Sequence, residues 1–540
     1  MKHTKKLIAL LLAAVMILMA SAVPALAASK LNPNDGALQK AESIMYRILD
    51  KLISMLVKTL NMLIPGLNWT GRWPSVQNYS PENFYEGEDA FDTEVQPDAK
   101  WSAGFATASL IDGLDIMNGE YYMAGTLEPM NGRVPVEIVD DQAVSVYALS
   151  DGVSGTVVQA VIDGYGIARG DVLEIRNRLA DFAQANNIIS INVSVLHQHS
   201  CIDILGMGAP LVPAVFTNPA YSLLNKDTDQ FIGGKNPSFM KHLYEVTART
   251  ITEAVESMTE GQLYYGYVDV SDYIYDKRDP QVIDENMNRF RFVPDDADRN
   301  EIWICEAGIH CVGLGAGPDR LTSDFPYYIK EYVKENAGAD VVYVNGAELA
   351  LTADYSLINV EETETNSRIK AMGYALGEKI VSIDNDVALD PVLNIKHSEV
   401  AIKAENQILI LAVREGLINS VVAKDGLGFA IITEIGYMEL GNTVGVFFAP
   451  GELAPEIVWG GAVSAEESWT GESWDYAPLA ETAGVDTMLC FGLTNDQIGY
   501  ILADNDIRSI FTENEEVNAS SYHSASALTE SFEALIASVK

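Results

Sequence analysis

Two histidines one residue apart, in His197-Gln198-His199-Ser200, follow directly on the apolar, alternating run Ile188–Leu196. In an extended chain residues i and i+2 point the same way, so both imidazoles can face one site at the end of a strand. A strand end is also where an open α/β sheet puts its ligand crevice. Two imidazoles on one face are costly in an apolar core and natural around a cation. His310 closes a second apolar run, Ile302–Ile309, ahead of Cys311-Val312-Gly313-Leu314-Gly315. Glu452 stands in Ala449-Pro450-Gly451-Glu452, between a strand and an expected helix, where a carboxylate also suits the positive end of the helix dipole. Tyr500 lies in Asn495-Asp496-Gln497-Ile498-Gly499-Tyr500-Ile501, a stretch that reads equally as a turn carrying a half-buried aromatic. The other histidines do less: His242 falls in an expected helix, His397 in a Lys-His-Ser stretch and His523 near the C-terminus.

Taken in order, these segments resemble the catalytic region of the neutral/alkaline, non-lysosomal ceramidases, zinc amidohydrolases that cut the N-acyl bond of ceramide. The resemblance spans roughly residues 101–530. His197-Gln198-His199-Ser200 is similar to that family's His-Thr-His-Ser, and Lys277-Arg278-Asp279-Pro280 to its Asn-Arg-Ser-Pro-like stretch. His310-Cys311-Val312 stands for its His-Pro-Thr, Pro450-Gly451-Glu452 is intact, and Ile498-Gly499-Tyr500 matches its late tyrosine segment. The resemblance implies zinc held by His197, His310, Glu452 and Tyr500, with His199 as a substrate-side acid/base or oxyanion group and Arg278 as a substrate-binding group. Imidazole, carboxylate and phenol oxygen are suitable zinc ligands, and zinc with an open position lowers the pKa of bound water to about 7. The implied activity is hydrolysis of a small-molecule or lipid amide, a sphingolipid among the candidates.

The chain departs from the family at one motif. After Val344-Asn345-Gly346 comes Ala347-Glu348-Leu349-Ala350-Leu351-Thr352 in place of Gly-Asp-Val-Ser-Pro, so the serine of that motif is missing. Two other readings therefore stand: a catalytically silent relative that uses the pocket for binding, and a metallohydrolase acting on another amide or ester. The chain ends at Lys540, and no C-terminal immunoglobulin-like domain is expected after Tyr500.

The elements that must position these groups alternate. Val144–Leu149, Val157–Val161, Ile188–Leu196, Glu301–Ile309, Val341–Val344 and Val444–Phe448 read as strands. Gly170–Gln184, Phe239–Met258 and Asp324–Asn336 read as helices, while Ile408–Ile418 and Ala430–Tyr437 are less definite. Repeated alternation predicts an α/β fold, a mixed sheet flanked by helices in one large catalytic domain over 101–540. An amphipathic helix over 37–64 and a linker or surface-hugging loop over 68–100 precede it. On the helix, Ile44, Ile48, Leu49, Leu52, Ile53, Leu56, Leu60 and Leu63 follow the 3.6-residue period, and Lys40, Arg47, Lys51 and Lys58 share a face. Such a helix can pack its apolar stripe on the main domain or lie against a membrane interface.

Lys2, Lys5 and Lys6 before the apolar run Leu7–Met19, and the small-x-small Ala25-Leu26-Ala27, make residues 1–27 a secretory signal, so export is expected. The chain carries 76 Asp and Glu against 35 Lys and Arg, a net charge of −41 over 540 residues. A surface this negative repels phosphate backbones, and nucleic acid is not an expected partner. Four cysteines are too few for a disulfide scaffold, although Cys305 and Cys311 are close enough in sequence to pair.

Overall fold

Runs rich in β-branched and aromatic residues become strands, and the longest of them build two mixed sheets. The computed structural model describes residues 36–63, 73–125, 132–208, 235–315, 319–361, 364–510, 516 and 518–540. The export segment 1–27, the end of the expected N-terminal helix at 64, and residues 68–72 lie outside the described residues. A long helix, α1 (Gly36–Leu63), comes first. Then follow β1 (Ser102–Ser109), β2 (Ala143–Ser150), β3 (Thr156–Ile162), α2 (Arg169–Arg178), β4 (Ile188–Val195), α3 (Pro237–Glu256), β5 (Thr259–Asp269), β6 (Asn286–Pro294) and β7 (Ile302–Ala307). The chain continues through α4 (Asp324–Ala337), β8 (Asp340–Asn345), α5 (Ser367–Val381), β9 (Leu393–Lys403), α6 (Gln407–Arg414), β10 (Gly428–Leu440), β11 (Val444–Phe448), β12 (Thr487–Phe491) and α7 (Ser524–Val539).

The first sheet runs β8-β7-β6-β5-β1-β2-β3-β4, with Val387–Ala388 added on β5. Its two ends are parallel pairs, β8 with β7 and β3 with β4, and the pairings between them are antiparallel. The second runs β9-β10-β11-β12, antiparallel except for the parallel pair β11 with β12, and Val422–Asp425 pairs with β10. The fold is thus α/β, with helices flanking mixed sheets. The strands are shared between two sheets rather than gathered in one. Helical periodicity across Gly170–Gln184 also resolves into two pieces, α2 and a short helix Ala180–Ala185, broken at Leu179.

What matters for the site is how the two edges of the first sheet meet. The segment after β12 joins them: Gly492 N donates to Asn345 O at the end of β8 (2.8 Å), and Asn495 N donates to Val193 O on β4 (2.7 Å). The Asn495 side chain accepts from Val193 N (2.9 Å) and donates to Asn192 Oδ1 (2.9 Å). A Cβ at Gly492 would sit 2.3 Å from Gly346 O, so only glycine permits this approach. The C-terminal ends of β4, β7, β8 and β11 consequently open toward one place.

A buried ionic clamp holds α2 to the second sheet. Arg176 makes two bonds to Glu434 (2.6 and 3.0 Å), and Arg169 reaches Glu434 at 2.6 Å and Glu399 besides. Burial pushes the Glu434 carboxyl up, but Arg176 and Arg169 outweigh it and hold the group well below the usual range.

Residues 73–100 take the surface-hugging form. They run along β9 through Glu88 N to Ile395 O (2.9 Å), His397 N to Glu86 O (2.8 Å) and Asp92 N to Asn394 Oδ1 (2.8 Å), covering that edge. On α1 the apolar positions divide between two faces. Tyr46, Ile53 and Val57 are buried, with Leu49 and Leu56 packed against the same core, whereas Ile44, Met45, Ile48, Leu52 and Met55 are each at least half exposed. The expected basic face is incomplete, because Arg47 turns inward to donate to Ile507 O (3.1 Å) and lies over the Tyr522 ring. All four cysteines are buried and unpaired, Cys305 and Cys311 included, and the Cys311 thiol is directed at Ile309 O (3.7 Å). Among the described residues no helix is long and apolar enough to cross a membrane.

Candidate metal centre

β4 ends at Val195, and the chain turns rather than continuing extended: His197 has φ +53°, a left-handed conformation uncommon for a residue with a Cβ. A left-handed turn, rather than the i, i+2 alternation of an extended strand, therefore brings the His197 and His199 rings together (5.0 Å between centroids). Strain of this kind persists only where surrounding contacts over-determine it. Here the Tyr165 ring stacks on His197 (4.4 Å between centroids) and meets His199 edge-on (4.9 Å). Beyond β7, His310 forms a parallel bridge with Thr352. Beyond β11, Glu452 pairs in register with Tyr500 in a two-residue parallel ladder, Glu452–Leu453 with Tyr500–Ile501. Gly499 has φ +91°, and a Cβ there would meet the Asn518 backbone at 1.8 Å, so the turn into Tyr500 requires glycine.

His197, His199 and His310 come together, each offering a nitrogen within 4.8 Å of the others, and all three are buried. His199 Nε2 lies 2.9 Å from His310 Nε2. Glu452, also buried, places Oε1 3.2 Å from His197 Nε2. The tautomer of His197 follows from its other nitrogen. Nδ1 is 2.7 Å from the Tyr165 carbonyl, which can only accept, so Nδ1 carries a hydrogen and Nε2 is the nitrogen turned to the site. Among the described residues Nε2 has no hydrogen-bond partner, nor has Glu452 Oε2. Buried polar atoms left without partners are unfavourable, and a cation between the imidazole and the carboxylate would satisfy both. The donor set of imidazole nitrogens and a carboxylate fits a divalent metal such as zinc.

The electrostatics point the same way. Burial, and then His197 close by, lowers both His199 and His310 well below the usual imidazole value, which keeps them neutral. Burial, with Glu452 nearby, pushes the Glu348 carboxyl well up. Gln497 Nε2 donates to Glu452 Oε1 (3.3 Å). Tyr165, Asn345, Glu348 and Gln497 carry no histidine-like signal; the last three lie inside sequence segments flanking the site, and only the folded chain shows what they touch.

Tyr500 stands beside Glu452 in the ladder, and its partly buried side chain also touches an apolar cluster. Arg278 gives its guanidinium to Asp506 (Nε 3.1 Å and Nη2 2.8 Å to Oδ2, Nη2 2.7 Å to the carbonyl) and lies 3.5 Å from Glu516. It ties one loop to another rather than presenting a free cation. The divergent segment 347–352 forms a wall of the site: Leu349 N donates to Leu453 O (3.2 Å) and Lys277 N to Ala350 O (3.2 Å).

No protein-family model matches the chain, and no curated protein matches it. Solved structures do. The chain is similar to the neutral ceramidase from Pseudomonas aeruginosa, at 14% identity and a TM-score of 0.58, over 82% of this chain and 74% of that one. It is equally similar to a ceramidase complexed with C2, at 14% identity and TM-score 0.58, over 81% and 75%. The fold is ceramidase-like. At this identity the likeness concerns architecture, and the chemistry rests on the residues of this chain.

Proposed function

We propose that the protein is a zinc-dependent amide hydrolase of the ceramidase type, acting on an N-acyl amide with a lipid acyl chain. The observation that carries the reading is the buried His197 Nε2 at 3.2 Å from Glu452 Oε1, with His310 and His199 alongside. His197, His310, Glu452 and Tyr500 would hold the metal. Bound zinc would supply a water of lowered pKa and polarise the amide carbonyl.

The chain's own groups do the rest. The Tyr165 carbonyl fixes the His197 tautomer, and Gln497 orients the Glu452 carboxylate. If His310 gave its Nε2 lone pair to the metal, that nitrogen would no longer accept from His199, whose Nε2 hydrogen would be left for the substrate. From there His199 can donate toward charge developing on the amide. Burial of His197, His199, His310 and Glu452 keeps bulk water away, which strengthens each of these interactions. The site needs no serine nucleophile, which is consistent with the altered 347–352 segment. That same segment favours a second reading, a metal-bearing protein that binds without turnover.

In this proposal residues 1–27 direct export, and the outward apolar stripe of α1 rests on a lipid surface. A groove of about 1250 Å³ between α1 and the Leu427 hairpin lies beside that stripe, and none of the site histidines lines it. The test is metal analysis of the wild type beside His197→Ala and Glu452→Ala, together with fatty-acid release from N-acylsphingosine and N-acyl amino acids. One zinc per chain, lost in both variants, with acid released by the wild type, is the expected result. Zinc without turnover on either substrate would favour the binding protein, and absence of zinc would overturn both readings.

A further inference from the structure

His197 follows the edge strand β4 and His310 follows β7 near the other end of the first sheet, so something must fix the distance between the two chain segments. Asn345, the last residue of β8, is fully buried exactly between them in hydrogen-bonding terms: its side chain touches both. Asn345 Nδ2 donates to the carbonyl of Leu196, the residue before His197 (3.0 Å). Its Oδ1 accepts from the N–H of Ile309, the residue before His310 (3.2 Å). The same Nδ2 donates its second hydrogen to Glu348 Oε2, and the Asn345 carbonyl accepts from Gly492 N (2.8 Å). One planar amide thus spans both histidine-bearing segments, with donor toward one and acceptor toward the other. An amide has that polarity; an aspartate keeps only the acceptor and an alanine neither. Glu348, also fully buried, receives the remaining hydrogen and prevents the amide from turning over.

We infer that Asn345 is the positioning residue of the metal centre, setting the separation of His197 and His310, and that Glu348 holds its amide in the working orientation. The inference rests on the proposed zinc site. Partners that orient metal ligands from outside the coordination sphere typically account for about 10- to 100-fold in metal affinity.

The experiment uses the full chain, stripped of metal and titrated with Zn2+ against a chromophoric chelator, and separately loaded with Co2+ for its visible absorption. Asn345→Ala is expected to weaken Zn2+ binding at least about tenfold and to shift the Co2+ bands. Asn345→Asp, similar in size but lacking the donor, should do the same and serves if the alanine variant does not fold. Glu348→Ala should weaken binding in the same direction, and Glu348→Gln, whose amide oxygen still accepts, should restore it. Ile53→Ala on α1 controls for lost stability: its melting temperature falls while its Co2+ bands stay in place. Folded Asn345 variants with wild-type Zn2+ affinity and an unchanged Co2+ spectrum would overturn the inference alone. A wild type that takes up no Zn2+ would overturn it together with the zinc reading.

Discussion

His199 and His310 face each other through nitrogens 2.9 Å apart, so a single proton must be shared between two groups that burial keeps neutral. Which ring holds it decides which ring can ligate. With His310 as ligand, His199→Ala should retain one zinc per chain and lose roughly a hundred- to ten-thousand-fold in kcat, the range of a positioned acid/base. Metal analysis beside steady-state kinetics checks this, and loss of zinc from that variant would make His199 a ligand instead. Glu434 shows the same dependence on partners without a metal. Two buried guanidiniums compensate its charge, and Glu434→Ala leaves Arg176 uncompensated and Arg169 with Glu399 alone, with an expected loss of about 3–5 kcal/mol in chemical denaturation. The clustered histidines were legible in the sequence because histidine is rare, seven in 540 residues, and these stood after strands, and Glu452 because Pro450-Gly451-Glu452 is similar to a family motif. Asn345, Glu348 and Gln497 were not, since asparagine, glutamate and glutamine are common and only long-range contacts give them a task. The partners of Arg278 were not legible for a related reason: Asp506 and Glu516 are over 200 residues away, and nothing local shows that its charge is engaged.

The sequence period located α1 but not its faces. Ile48 and Leu52 have the same composition signal as Leu49 and Ile53, yet point outward, because the helix is apolar around more of its circumference than the core can cover. Ile53→Ala should therefore cost about 2–5 kcal/mol. Replacing Ile48 and Leu52 together by Asp should leave stability and zinc content near wild type while reducing co-sedimentation with lipid vesicles. Unchanged vesicle binding in that double variant would remove the membrane role. Strands with β-branched alternation were legible nearly to the residue: β11 spans Val444–Phe448 in the chain as in the pattern. β1, built of Ser-Ala-Gly-Phe-Ala-Thr-Ala-Ser, and β6, with Asn and Arg among its aromatics, were not. Small or charged residues become strand there because neighbouring strands and salt bridges such as Arg291 with Glu301 (2.6 Å) accept them. The division into two sheets was invisible for a similar reason, as pairing partners are set by tertiary packing.

The whole molecule stores protons in its interior. Burial pushes Glu415 up to about 8, Glu456 to about 7, and Asp324 and Asp496 to about 6. A raised carboxyl binds its proton more tightly folded than unfolded, so its stabilisation is full below the ordinary carboxyl value and is lost as pH rises from there through its folded value. His397 has the opposite sign: burial lowers it to about 4, so stability is lost as pH falls from the ordinary imidazole value toward 4. Above about pH 6.5 the imidazole no longer contributes and only the carboxyl loss remains, so the metal-free protein should melt a few degrees lower at pH 8 than at pH 6.5. Scanning calorimetry with chelator and moderate salt, which screens the repulsion of a −41 chain, checks this. A melting temperature still rising through pH 8 would refute it. The four thiols offer a different use of the same interior. Each of Cys201, Cys305, Cys311 and Cys490 has no accessible surface, and burial raises every one of them, leaving little reactive thiolate. Alkylation by iodoacetamide must therefore wait for the protein to breathe, and peptide mapping of which cysteine is modified first would time the opening of each region.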